Sequence, residues 1–241
     1  VIDLVICMPG NADNDAFDVA RDIKGKFPNI HCVVLTPFSH GITKRMQNED
    51  LSIFDYVFCW LGNTNLILSI IKLIEDKMNL EHDIQEAGVQ MILLVEDSIR
   101  FYSSILPNLY NYILEQSKNF SQEALNRHAA TMRMRGRPKV VLARTYEEAQ
   151  KLYDKYSDNT LGVISDARFP LKSAAKAFGN EVMPEEKPKH RTDTFGREKC
   201  PDAGLQLFRY IRKNDPFVPL IIESSESEIR AKAEAEGFRF V

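Results

Sequence analysis

Apolar and polar positions along this chain follow two alternating rhythms. Short, nearly continuous apolar runs fall at Ile2–Met8, His31–Thr36 and Tyr56–Trp60, and again at Met91–Val95, Lys139–Ala143, Leu161–Ser165, Pro219–Ile222 and Phe238–Val241. Runs of this kind predict strands buried on both faces of a parallel sheet. Between them the apolar residues recur at helical spacing. That predicts helices near Asp13–Lys26, Ile42–Asp50, Asn65–Asn79, Ile99–Gln116, Glu123–Met134, Tyr146–Tyr156, Ala203–Lys213 and Glu226–Glu236. In Asn65–Asn79, Leu66, Ile67, Ile70, Ile71 and Ile74 form one apolar stripe. Gly62–Asn65 (GNTN) reads as a helix start, since no lysine follows to make a phosphate loop. Thr145 with Glu148 predicts a capping box, Pro107 predicts a kink, and Leu80–Gly88 reads as a polar connector. Strands alternating with helices point to an α/β architecture.

The two parts of the chain repeat each other. VIDLVICMPG aligns with LGVISDARFP, placing Met8 opposite Asp166, and HCVVLTPFS aligns with VPLIIESSE, placing Thr36 opposite Ser224. The two offsets differ by about the length of the charged segment Leu171–Cys200, which reads as an insertion in the second copy.

Composition narrows the function classes. The chain has 241 residues, a net charge of −3 and a pI near 6.0, so it has no bulk attraction for nucleic acid or anionic lipid. No apolar run approaches the ~20 residues that cross a bilayer. The start has neither a basic leader nor a long apolar stretch, and it lacks an initiator Met, so a fragment of a cytoplasmic protein is expected. Cys7, Cys32, Cys59 and Cys200 form no CxxC pair, which suits a reducing compartment without zinc or redox chemistry.

The candidate chemistry lies where two apolar runs end in acids: Glu96 and Asp97 after Met91–Val95, and Asp166 after Leu161–Ser165. Acids at the C-terminal ends of parallel strands stand where open α/β sheets bind ligands, and such a set suits Mg²⁺ and phosphoryl transfer. The simpler alternative is capping, with Asp97 or Ser98 as N-cap of the following helix. Other features point more weakly. The basic run Arg127–Lys139 lacks interleaved aromatics and reads as a solvated helix face. His128 has no surroundings that would make it a phosphohistidine, Trp60 reads as core or interface, and Thr36 as structural.

These motifs, in this order, resemble the receiver domains of bacterial two-component response regulators. LLVEDS matches the acidic pair after the first receiver strand, Asp166 the phosphoacceptor after the third, and Ser224 in LIIESSE the hydroxyl residue after the fourth. The resemblance implies a doubly wound (βα)₅ flavodoxin-like sheet of strand order 2-1-3-4-5, in tandem. Residues 1–80 would be a partial, degenerate copy (strands three to five), 81–88 a linker, and 89–241 a second copy with the insertion 171–200. The first copy carries Met8 in place of the aspartate and Trp60 in place of the lysine. The second ends at FRFV, ahead of the expected lysine and final helix. MILLVEDSIRFYSSILP with MRGRPKVVLARTYEEA further resembles the tandem-receiver region of bacterial proteins related to phosphoenolpyruvate synthase and pyruvate phosphate dikinase.

The resemblance implies a regulatory phosphoacceptor. Mg²⁺ would be held by Glu96, Asp97, Asp166 and the main-chain carbonyl of Arg168, with Asp166 phosphorylated and Ser224 as the switch hydroxyl. The implied partners are a histidine kinase or phosphotransfer protein, an attached effector such as a phosphoenolpyruvate synthase-like enzyme, and a second copy of the chain. Neither nucleic acid nor membrane is implied. An inert pseudo-receiver serving dimerisation or docking is the alternative. A Mg²⁺ phosphatase ranks last, because it would want an aspartate where Arg168 stands.

Overall fold

The computed structural model describes residues 2–9, 15–37, 53–172, 193, 197–224 and 226–241. The predicted helix Ile42–Asp50 and most of the insertion lie outside them. The first unit contains β1 (Leu4–Cys7), α1 (Ala16–Lys26), β2 (His31–Pro37), β3 (Tyr56–Trp60) and α2 (Asn65–Ala87). Its strands form a parallel sheet in the order β1-β2-β3.

The second unit follows with β4 (Met91–Val95), α3 (Ile99–Gln122), α4 (Arg127–Arg135), β5 (Lys139–Ala143), α5 (Tyr146–Tyr156) and β6 (Thr160–Asp166). It continues through β7 (Phe169–Pro170), β8 (Lys199–Cys200), α6 (Ala203–Asn214), β9 (Leu220–Glu223), α7 (Ser227–Ala235) and β10 (Arg239–Phe240). Five parallel strands pair in the order β10-β9-β6-β4-β5. Counted within this unit and read from the other edge, the order is 2-1-3-4-5, a doubly wound sheet compatible with a flavodoxin-like fold.

The continuous apolar runs follow from the packing of both faces. Alternate residues of β4 and β5 serve different cores. Leu94, Val140 and Leu142 join α2, α3 and the first sheet in one cluster. Met91, Leu93, Val95, Val141 and Ala143 join α5, α6 and α7 in another. An alternating polar residue would have been buried in one of the two.

Helix α3 also closes the exposed edge of the first sheet. The backbone N–H of Cys59 donates to Ser103 Oγ at 2.9 Å, and the Tyr102 hydroxyl donates to the carbonyl of Val57. Backbone groups of edge strand β3 thereby meet side chains of the second unit instead of remaining open for pairing.

A buried polar knot fixes α2 to the second sheet. Asp76, fully buried, accepts from the Tyr110 hydroxyl at 3.0 Å, from Arg137 Nη2 at 2.6 Å and Nη1 at 3.1 Å, and from the backbone N–H of Val140 at 2.9 Å. Lys139 adds a 2.6 Å ion pair to Asp83. Four donors around one carboxylate supply the compensation that burying the charge requires.

Several sequence expectations change here. The connector at Leu80–Gly88 is helical: α2 runs on to Ala87 and stops at Gly88 in the left-handed conformation, φ 60°. Its polar residues mislead because Asp83 is held in the ion-pair knot by Lys139. The basic run is only partly a solvated face. Helix α4 buries nothing, whereas Arg137 and Lys139 are buried. Helix α3 extends past Gln116 to Gln122 with Pro107 inside it. The capping expectation at α5 holds, with Thr145 Oγ1 accepting from the Glu148 N–H at 3.2 Å, but the Glu148 carboxylate reaches the Arg144 N–H.

Candidate metal and phosphoryl site

Strand register brings the acids together. Val95 on β4 lies opposite Ser165 on β6, so the next residues, Glu96 and Asp166, emerge side by side at the C-terminal edge. Glu96 keeps the ladder going for one more bond, its N–H donating to Ala143 C=O at 3.0 Å. One carboxylate oxygen each from Glu96, Asp97 and Asp166 lies within 4.8 Å of the others.

These acids do not cap α3. Ser98 is the N-cap, but its side chain makes no capping bond, and its N–H donates instead to Glu96 Oε1 at 2.9 Å. Asp97 is fully buried. Asp166 Oδ1 accepts from the Ala167 N–H at 2.6 Å, which fixes the carboxylate on the loop that leaves β6.

Lys199 enters the same pocket from β8. Its ammonium donates to Asp97 Oδ1 at 3.0 Å. It also lies 2.7 Å from Oδ2, but without hydrogen-bond alignment, so that buried oxygen has a nearby charge and no donor. Strand β8 pairs antiparallel with β7, Pro170 opposite Lys199, just beyond the Asp166 loop.

Crowding of like charges in a poorly hydrated site sets the protonation preferences. Burial, then the charge of Asp166, holds Glu96 well above the usual carboxylate range, against the N–H of Ser98. Burial also raises Asp97, and Lys199 opposes it. Asp166 is pushed up to about 6 by burial and by Asp97, against the N–H groups of Ala167 and Arg168 and the charge of Lys199.

The other expected residues have plainer settings. Ser224 follows Glu223, which lies opposite Asp166, so it stands at the same sheet edge, with its Oγ accepting from the Glu226 N–H at 3.3 Å. The Arg168 guanidinium pairs with Glu226. In the first unit Met8, at the position matching Asp166, is 61 % exposed, and Thr36 Oγ1 donates to the adjacent Pro37 carbonyl. His128 is exposed on α4.

Sequence reasoning missed Lys199 and Asp193. Lys199 is 102 residues from its partner Asp97, inside a segment that resembles a polar loop. Asp193 is buried and bonds to Arg197. Its Oδ1 accepts from the Arg197 N–H at 2.7 Å, and Oδ2 pairs with Arg197 Nε at 2.6 Å. A cluster of charges just ahead of a helix start was the only signal.

The donor set suits a hard divalent cation. It is all oxygen, preorganised by backbone bonds, and has more negative charge than Lys199 balances. The buried, unaligned Asp97 Oδ2 is an acceptor such an ion would satisfy. No helix among the described residues is long and apolar enough to cross a membrane. The chain matches no protein-family model, no curated protein and no solved structure.

Proposed function

We propose that the chain is a receiver-like signalling module, with a second unit that accepts a phosphoryl group on Asp166 and a degenerate first unit. The observation that carries this reading is the gathering of Glu96, Asp97 and Asp166 within 4.8 Å at the C-terminal edge of adjacent parallel strands. Those three residues, with the main-chain carbonyl of Arg168, would hold Mg²⁺. The ion would supply neutralisation of the charge between carboxylates and an incoming phosphate.

The chain's own part is positioning and nucleophilic attack. The N–H groups of Ala167 and Arg168 hold the Asp166 carboxylate on its loop. A carboxylate oxygen of Asp166 would bond to the phosphorus of a phosphohistidine on a kinase or phosphotransfer protein. The P–N bond breaks, its electron pair stays on the imidazole, and an acyl phosphate remains on Asp166. Ser224, at the same edge, would turn its hydroxyl from the Glu226 N–H toward that phosphoryl group. Its motion would bias α7, whose first turn begins there, and so an attached effector such as a phosphoenolpyruvate synthase-like enzyme. Met8, exposed and without a carboxylate, leaves the first unit no equivalent nucleophile.

Incubation with Mg²⁺ and acetyl phosphate tests this reading. The intact mass should rise by one phosphoryl group, and Asp166→Asn should abolish the gain. One observation favours a second reading, a pseudo-receiver serving dimerisation or docking: Lys199 forms an ion pair with Asp97, one of the expected Mg²⁺ ligands. That reading predicts no mass gain, together with concentration-dependent self-association unaffected by Asp97→Ala.

A further inference from the structure

Lys199 is the unexpected occupant of the acidic pocket, and its setting is built. Asp193 and Arg197 are joined by three contacts, the third being the Asp193 N–H donating to the Arg197 carbonyl at 2.9 Å. Two residues later Lys199 pairs with Pro170 across the β7–β8 ladder. The Gly204 N–H of α6 donates to the Ala167 carbonyl at 3.1 Å. The ladder and α6 thus hold the loop that follows Asp166 at two points, and one of them carries the lysine.

The ammonium reaches solvent where Asp97 does not. The Lys199 side chain is 19 % exposed while that of Asp97 is fully buried. Its charge acts on Glu96 and Asp166 as well as on Asp97. A lysine is a compact charge with three donors on a flexible stem, suited to following anionic charge from one oxygen to another. A divalent ion held by Asp97 would take over the charge balance that Lys199 supplies there. A phosphoryl group on the neighbouring aspartate offers it three strong acceptors.

We propose that Lys199, carried by the inserted segment, is the cation that binds the phosphoryl group on Asp166. The proposal rests on the phosphoacceptor reading above. It makes β8 part of the site: the strand paired with β7 delivers a residue to the reacting group. The same lysine also balances the buried charge of Asp97.

Two probes separate this proposal from the reading beneath it. Mg²⁺ alone is titrated by calorimetry, and beryllofluoride, a phosphoryl mimic, is then followed by fluorine NMR with Mg²⁺ present. The wild-type chain is compared with Lys199→Ala and Lys199→Arg. Lys199→Ala should bind Mg²⁺ at least as well as wild type, because a competing cation is gone. It should bind beryllofluoride at least about tenfold more weakly, the loss of a charge-assisted hydrogen bond. Lys199→Arg should keep most of that affinity. Equal beryllofluoride binding by Lys199→Ala and wild type would overturn the proposal and leave the phosphoacceptor reading intact. So would joint loss of both probes with a lowered melting temperature, which marks a structural brace. A wild-type chain that takes up neither probe removes the phosphoacceptor reading, and this proposal with it.

Discussion

Asp166→Asn should make the metal-free chain more stable. In the folded state Asp166 is pushed up to about 6 from an ordinary 3.8, by burial first and the charge of Asp97 second. Above pH 6 the fold therefore bears a charge that the unfolded chain solvates freely. The rise from 3.8 to about 6 corresponds to about 3 kcal/mol at full effect. Partial exposure and relaxation of the pocket reduce this, so a gain of about 1–2 kcal/mol is the expected size. An asparagine oxygen still accepts from the Ala167 N–H, so the loop geometry survives the change.

The sign fixes the pH dependence. The folded pKa is raised, so Asp166 contributes most stability below its unfolded value near 3.8 and loses that contribution as pH rises through about 6. Glu96, raised by burial and by Asp166, acts in the same direction. The assay is urea unfolding of both chains in chelator-treated buffer at pH 5, 6, 7 and 8. The wild-type deficit should grow from pH 5 to 7 and then level off, and Mg²⁺ should shrink or reverse it by binding the wild type. A variant less stable than wild type at pH 7, or a difference independent of pH, would refute the charge-crowding argument.

Two further outcomes follow from the packing. Asp76→Ala leaves Arg137 buried without its carboxylate and should cost about 3–5 kcal/mol in urea unfolding, with a milder loss when Arg137 is also replaced by an apolar residue. Gly204→Ala puts a Cβ 2.4 Å from the Asp166 carbonyl oxygen. The resulting backbone shift should cost about 1–3 kcal/mol by thermal melting and weaken Mg²⁺ binding, because the displaced loop carries a ligand.

The strand pattern was legible because both faces of the second sheet are covered. Every residue of Met91–Val95 and Lys139–Ala143 had to be apolar or well paired, and both runs have the same boundaries in sequence and structure. The acids were legible for a related reason. A carboxylate directly after such a strand has nowhere to go except the ligand-binding edge, and register then sets Glu96 beside Asp166. Residues whose partners lie far away in sequence were not legible. Arg137 looks like a surface cation until Asp76, 61 positions earlier, is known to face it. The helical reach of α2 was hidden because Asp83 looks like a linker residue and is in fact paired with Lys139. Lys199 belongs to the same class: charge and local composition mark it as a loop residue, and only the β7–β8 ladder turns it into the pocket.

Calorimetric titration with Mg²⁺ tests the central claim most directly, the claim that Glu96, Asp97 and Asp166 grip one divalent ion. Wild type should bind one Mg²⁺ per chain, and Asp97→Asn and Asp166→Asn should each weaken it at least about tenfold. Wild type that binds no Mg²⁺, or variants that bind it as tightly as wild type, would contradict the account.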